Sequence, residues 1–384
     1  MVTGITMEFQ FGMNWAEYSR YVGDIFGAPL AIEASVAFFL ESVFIGVWVF
    51  GWNKLSKRKH ATSIWLVAFA TNLSGLWILL ANGWMQHPVG YVIRNGRAEM
   101  VDFTAMILNP NGLLKFAHQM VSGYIVAAFF IMGIAAWHLL RKNEVTFFRR
   151  SFQIAAIFGF ISTLLVGLTG DSHATDVAKS QPVKFAAMES VWETTRGAGM
   201  HGLIIPDSEN ERNSVEMLTV PKMLSILATH SPEGEVKGLK DFPKDERPPV
   251  WPVFISFRLM VMLGVLFGAL SLLAVVLSAR NKLERYPWFL KVMVFAIPLP
   301  YIVNQLGWIV AEVGRQPWIV YGVMKTSDGV SKAVTAGQVA ASLAGFVLLY
   351  GFLGALDIYL LMTYARKGPD SDLSTMINTS RRKV

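Results

Sequence analysis

Several ionisable and sulfur-bearing side chains stand where the sequence is otherwise suited to hydrocarbon. Glu33 and Glu41 fall in one apolar run and His118 in another, with Lys115 one turn before it. Arg258 and Met260 open a further run, Glu312 closes the next with Arg315 three residues on, and Asp357 lies inside the last. A charge at the centre of a membrane helix costs on the order of 2.5–3.5 kcal/mol on insertion scales, so such residues are kept there for a task. Two kinds of chemistry suit these types. Carboxylates buried at mid-membrane relay protons. Imidazole, thioether and carboxylate groups ligate metals, here without help from thiolates, because the chain has no cysteine. That absence also excludes disulfides, iron–sulfur clusters and covalent c-type haem attachment.

Those side chains must be positioned by long apolar helices. Hydrophobic residues make up 53% of the 384 and charged residues 16%, against about 25% charged in soluble domains. About 20 apolar residues cross a bilayer as a helix. The pattern predicts an all-α, polytopic membrane helix bundle with seven spans over residues 29–52, 63–84, 112–140, 151–170, 252–279, 288–312 and 336–364. The net charge of +7 sits in short connections, which is the pattern of membrane-orientation signals and not of a nucleic-acid surface. Lys54, Lys57, Arg58 and Lys59 follow the first span; Arg141, Lys142, Arg149 and Arg150 follow the third. Arg280, Lys282, Arg285 and Lys291 follow the fifth; Arg366, Lys367, Arg381, Arg382 and Lys383 follow the seventh. Every second connection is therefore basic and is assigned to the cytoplasm, as is the tail 366–384. Segments 1–28, 85–111, 171–251 and 313–335 then face outward, and no cleavable signal peptide is read at the start. The chain divides into the outer segment 1–28, four helices in 29–170, a long outer loop in 171–251 and three helices in 252–365. Within that loop, "VPKMLSILATHS" reads as one short amphipathic helix.

With this orientation Glu33, His118, Arg258, Met260 and Glu312 share one depth near the outer face, although they belong to four helices. That is the arrangement expected of ligands to planar cofactors, and His with Met is an axial pair for haem. Arg258 and Arg315 suit the carboxylates of such a group at the polar boundary. Each residue also has a plainer reading. His118 alone bridges helices, Met260 alone packs, Glu312 alone snorkels and Arg258 alone anchors at the interface. Trp308, on the same helix face as Glu312, lines a cofactor pocket or belongs to the aromatic belt. Asp357 pairs with a neighbouring helix or faces a partner subunit. His60 and His138 read as cytoplasmic surface, and His87, His173, His201 and His230 as outer-loop residues without a partner.

Several stretches together resemble one family, subunit I of the cytochrome bd quinol oxidases. They are "GITMEFQFGMNWAEYSRYVGDIFGAPLAIE" (4–33), "FFLES" (38–42), "NLSGLWILLANGWMQHPVG" (72–90), "LKFAHQMVSGY" (114–124), "GLKDFP" (238–243), "FRLMV" (257–261) and "GWIVAEVGRQPW" (307–318). The resemblance runs from about residue 4 to 365. It implies two b-type haems and haem d, with His118 and Met260 as the axial pair of the low-spin b haem, Glu312 as a ligand of the high-spin b haem and Glu33 beside haem d. It implies a proton path from the cytoplasm through Glu41, with Ser74 as a further member. Lys240 matches a lysine of the outer loop that binds quinol, and Asp241, Asp245 and Glu246 are the candidates for its acidic partner. The implied partners are oxidase subunit II, a small single-helix subunit, quinol, oxygen and membrane lipid. The implied location is a prokaryotic plasma membrane, with quinol oxidised outside and oxygen reduced to water. The family's subunit has nine spans, and the match begins near the end of the second. The first normally carries a histidine that ligates haem d, and no His of this chain takes an equivalent place. Two rival readings stand beside this one: a subunit retaining only the low-spin haem, and a transporter relaying protons through Glu33, Glu41 and Asp357. A transporter of that kind lacks here the broken helices or inverted repeat expected of it.

Overall fold

A computed structural model describes residues 2–369; of the expected tail, Arg366 and Lys367 end the last helix, and residues 370–384, Arg381, Arg382 and Lys383 among them, lie outside the described residues. Seven helices are long and apolar enough to cross a membrane: Ala16–Phe50, Lys57–Gln86, Phe103–Leu140, Val145–Ser180, Val250–Ala279, Pro287–Val313 and Ala336–Lys367. They are called the first to seventh spans below. Long uncharged runs fold this way because a helix satisfies every backbone group internally where no water can. Local signals set several ends. Ser56 accepts from the Lys59 amide, Pro110 follows the Asn109 cap, and Thr335 with Gln338 forms a capping box.

The helices depart from the expected bounds in three places that matter. The first span starts at Ala16 and is preceded by a helix over Val2–Met13, so most of 1–28 is helical. Its buried face, Tyr18, Val22, Ile25 and Phe26, carries helical spacing that the polar residues between them mask. Within the first span, Glu33–Phe38 forms a π-helical segment four residues after Pro29. The spacing of eight between Glu33 and Glu41 therefore does not run through continuous α-helix. The fourth span continues to Ser180, which makes Asp171, His173 and Asp176 helical and not part of a loop. The sixth span is two helices, Pro287–Phe295 and Leu299–Val313, parted where Pro298 and Pro300 remove backbone donors.

The bundle core joins the third to sixth spans through Phe129, Met132, Phe152, Phe267 and Phe289. The second and third spans touch at the outer end. A Cβ on Gly83 would lie 2.4 Å from the Gly112 Cα, so only glycine permits this approach. The segment after Ser180, expected to face outward, folds into its own layer, called the outer layer below. It contains the helix Pro182–Glu189, the hairpin Met200–Asp207 with Arg212–Val220, and the helix Met223–Thr229 inside the stretch read as amphipathic. Phe185, Trp192, Leu224 and Leu239 pack there against Val253 and Val310 of the fifth and sixth spans.

His138 is not a surface residue. It is fully buried, stacks on Phe148 with centroids 3.8 Å apart, donates from Nε2 to the Ala365 carbonyl at 2.8 Å, and accepts from Asn143 at 3.1 Å. His60 likewise stacks on Trp48 and reaches its carbonyl at 2.9 Å, tying the first span to the second. The seventh span has no buried residue, so the His138 bond is one of its few ties to the bundle. His138→Leu is expected to cost about 1–3 kcal/mol, the penalty for a lost buried hydrogen bond. A lower thermal midpoint in detergent and faster proteolysis of the seventh span will report it.

Candidate functional site

A cavity of about 770 Å³ opens near the outer end of the bundle. His118 from the third span, Met260 from the fifth and Trp308 from the sixth all line it. The His118 Nδ1 lies 3.2 Å from Thr169 Oγ1, whose own proton goes to the Leu165 carbonyl at 3.0 Å. Thr169 thus accepts from Nδ1–H, which leaves Nε2 as the free ligand atom. Small residues make room beside both donors. A Cβ on Gly170 would lie 3.2 Å from the His118 ring, and one on Gly307 would lie 3.4 Å from Met260 Sδ. His173 faces the same cavity with its ring 6.0 Å from that of His118. Extending the helical register of the fourth span one turn past Thr169 would have found it.

The cavity lining carries charges of both signs, Asp171 and Glu189 beside three basic side chains. Lys115, Lys184 and Arg258 line it, together with Gln86 and Asn111. Burial, and after it the charges of Lys115 and Arg315, hold Lys184 well below the usual lysine range. Lys184 donates to Gln86 Oε1 at 2.5 Å and Lys115 to Asn82 Oδ1 at 2.5 Å. The same two amides continue to Glu312. Asn82 donates to its Oε1 at 3.0 Å and Gln86 at 3.4 Å, while Arg315 pairs with Oε2 at 2.5 Å. Glu312 and Arg315 thus sit together at a helix end as part of one network that also holds two lysines. Arg315 Nη1 and Arg258 Nε are buried without a hydrogen-bond partner among the described residues. An apolar cavity with a free imidazole nitrogen, a thioether and basic side chains along it suits a flat metal chelate with anionic edges.

A second pocket of about 380 Å³ lies in the outer layer and includes Lys240. Lys240 pairs with Glu193 at 2.5 Å and with none of the three expected acids. Asp241 instead accepts from Thr194, Asp245 pairs with Lys325 at 2.8 Å, and the charge of Glu246 is felt by Tyr321 and Lys325. Arg258, expected at a cofactor carboxylate, pairs with Glu189 at 2.6 Å and donates to the His201 carbonyl at 2.9 Å. Burial raises the Glu189 carboxyl to about 7, opposed by the Arg258 charge. His201 and His230 have partners after all, in Thr219 at 2.8 Å and Asp171 at 3.2 Å.

Deeper in the first span, Ser74 of the second donates to Glu33 Oε1 at 2.6 Å. Ser74 therefore joins Glu33 and not Glu41. Glu41 is half-buried, and Asp357 lies on the exposed surface of the seventh span.

Residues 1–369 match the family described as cytochrome bd terminal oxidase subunit I. The chain is 47% identical to cytochrome bd ubiquinol oxidase subunit 1 of Bacillus subtilis (strain 168), over 97% of this chain and 81% of that one. It is 40% identical to cytochrome bd-II ubiquinol oxidase subunit 1 of Escherichia coli (strain K12), over 97% and 85%. The fold is similar to that of the bd oxidase from Geobacillus thermodenitrificans, with a TM-score of 0.86 and 32% identity, covering 96% of this chain and 84% of the other. A match that runs through every span and through the outer layer between the fourth and fifth leaves one conclusion: the chain belongs to the family of subunit I of the cytochrome bd terminal oxidases.

Proposed function

We propose that this chain is the haem-bearing subunit of a membrane quinol:oxygen oxidoreductase. In this reading His118 and Met260 are the axial pair of a low-spin b haem, Glu312 ligates a high-spin b haem, and Glu33 stands beside haem d. The observation that carries it is the shared cavity: an imidazole and a thioether from two helices line one largely apolar space that basic side chains also reach. When bound, the haems supply one-electron transfer and oxygen chemistry. The chain's own residues do the rest. Thr169 holds the His118 tautomer with Nε2 free, and Lys115, Lys184 and Arg258 stand along the cavity as hydrogen-bond donors for the carboxylates of the group. Arg315 balances Glu312.

Lys240 and Glu193, at the outer pocket, receive the oxygens of the quinol, so its protons leave on the outer side. Protons for water enter from the cytoplasm by way of Glu41 and pass to Ser74 and Glu33, whose hydrogen bond is already formed. Opposite sidedness of the two proton exchanges then separates charge across the membrane. The seventh span, which has no fully buried residue, and the thinly covered first span meet lipid, subunit II and a small single-helix subunit, with the C-terminus in the cytoplasm.

Lys240→Ala tests the substrate side. It is expected to raise the quinol KM and lower turnover about tenfold, the loss of one charge-assisted contact worth roughly 1.4 kcal/mol. The reduced-minus-oxidised spectrum should stay intact. Unchanged quinol kinetics would remove Lys240 from the substrate site.

A further inference from the structure

The hairpin of the outer layer is apolar at one end and charged at the other. Its tip, residues 207–212, reads "DSENER", and Glu211 there is held by Lys244 at 2.5 Å among the charges of the layer. Its base carries Leu203, Ile205, Met217, Leu218 and Val220, all exposed, Leu218 to 77%. The register sets Leu203 opposite Met217 and Ile205 opposite Val215, so these side chains share one face of the hairpin. Ile204 points the other way and is buried in the layer. The next helix, Met223–Thr229, leaves Met223 and Ile226 exposed as well. Apolar side chains gathered on a surface beside charged ones mark a place of contact.

The height of the hairpin indicates what it touches. Trp251, half exposed at the start of the fifth span, suits the polar boundary of a bilayer. Arg258 stands seven residues further in, about 10 Å along the helix. It donates to the backbone carbonyl of His201, at the base of the hairpin, at 2.9 Å. The base therefore lies beside the outer end of the span, and the charged tip points away from it. The surfaces are also continuous. Gly202 and Leu224 line the same cavity as Val261, Met262 and Val265, three residues on the exposed face of the fifth span. Apolar surface made for hydrocarbon thus runs from the span onto the hairpin.

We propose that the base of this hairpin anchors the outer layer in the lipid of the outer leaflet. Leu203, Ile205, Met217, Leu218 and Val220 lie at the boundary between headgroups and acyl chains, and residues 207–212 remain in water. Interfacial anchoring of this kind grows with the apolar area buried in lipid. It fixes the height of the layer above the cavity of His118 and Met260. A second copy of the chain or another protein would also cover the patch, but neither explains why the apolar side chains stop where the hairpin leaves the boundary. The anchor requires only that the seven helices cross a membrane, whatever reaction the chain carries out.

The test uses the assembled complex in lipid nanodiscs. The chain has no cysteine, so Leu203→Cys, Leu218→Cys and Ser208→Cys each place one nitroxide label in it, with the parent complex treated alike as background. All three positions are exposed, so the fold tolerates the label. Power saturation then compares oxygen, which concentrates in hydrocarbon, with a nickel chelate that stays in water. Labels at 203 and 218 are expected to show an oxygen-to-nickel accessibility ratio several-fold above that at 208. A label at 218 as open to nickel as the one at 208 would place the base in water and overturn the proposal. Labels at 203 and 218 immobilised and closed to both reagents would overturn it too, because a protein would then cover the patch. The oxidase reading fails separately, through a b-haem band that survives His118→Ala.

Discussion

His118→Ala is expected to remove the low-spin b-haem band from reduced-minus-oxidised spectra of membranes and to bring quinol-driven oxygen uptake to background. The imidazole supplies the stronger of the two donors lining the cavity, and Met260 alone offers only a thioether. Among the described residues, no other side chain lining the cavity is an imidazole but His173 of the fourth span. His173 is the nearest imidazole, with its ring 6.0 Å away on the opposite helix. His173→Ala should therefore leave the band in place, and the contrast between the two variants separates a ligand from a neighbour. A His118→Ala protein with an unaltered b-haem band would end the assignment of the cavity.

The second large effect is expected at Glu312→Ala. The substitution removes the proposed ligand of the high-spin b haem and strands Arg315, whose side chain is 5% exposed and whose Nη1 already lacks a partner. Breaking a buried ion pair from one side costs roughly 3–5 kcal/mol. The low end, about 3 kcal/mol, applies here, because Glu312 keeps 33% of its side-chain surface. The measurements are the haem-to-protein ratio, which should fall, and the thermal midpoint of the purified complex, which should drop with it. Glu312→Gln retains the acceptor for Asn82 and should lie between Ala and the parent in stability while still losing the haem. Full haem content in both variants would show that Glu312 is a structural partner of Arg315 and nothing more.

Much of the architecture and part of the site were readable along the chain. Hydropathy and loop charge place His118, Arg258, Met260 and Glu312 on three spans at one depth, and the structure brings His118, Arg258 and Met260 to one cavity with Glu312 in the network beside it. Lys184, Glu189 and Glu193 carry no distinguishing signal in the sequence. They lie in and just after "PVKFAAME", an eight-residue helix too short to show a clear period and flanked by polar sequence. The partner of Lys240 is not one of the acids next to it in sequence but Glu193, 47 residues earlier. Ser74 was expected with Glu41 and bonds Glu33, because the π-helical segment changes which side chains of the first span meet the second.

The sequence by itself determined that seven helices cross the membrane, and its alternating basic connections carry the expected orientation. Both are local properties: about 20 residues of hydropathy decide insertion, and charges close to each end bias sidedness. Only the tertiary structure decided which charged group answers which. That depends on the rotation of each helix about its axis, on the break at Pro298 and on the close approach at Gly83 and Gly112. Those are outcomes of packing between segments far apart in the chain, where a shift of one residue on a helix turns a side chain by about 100° and exchanges its neighbours.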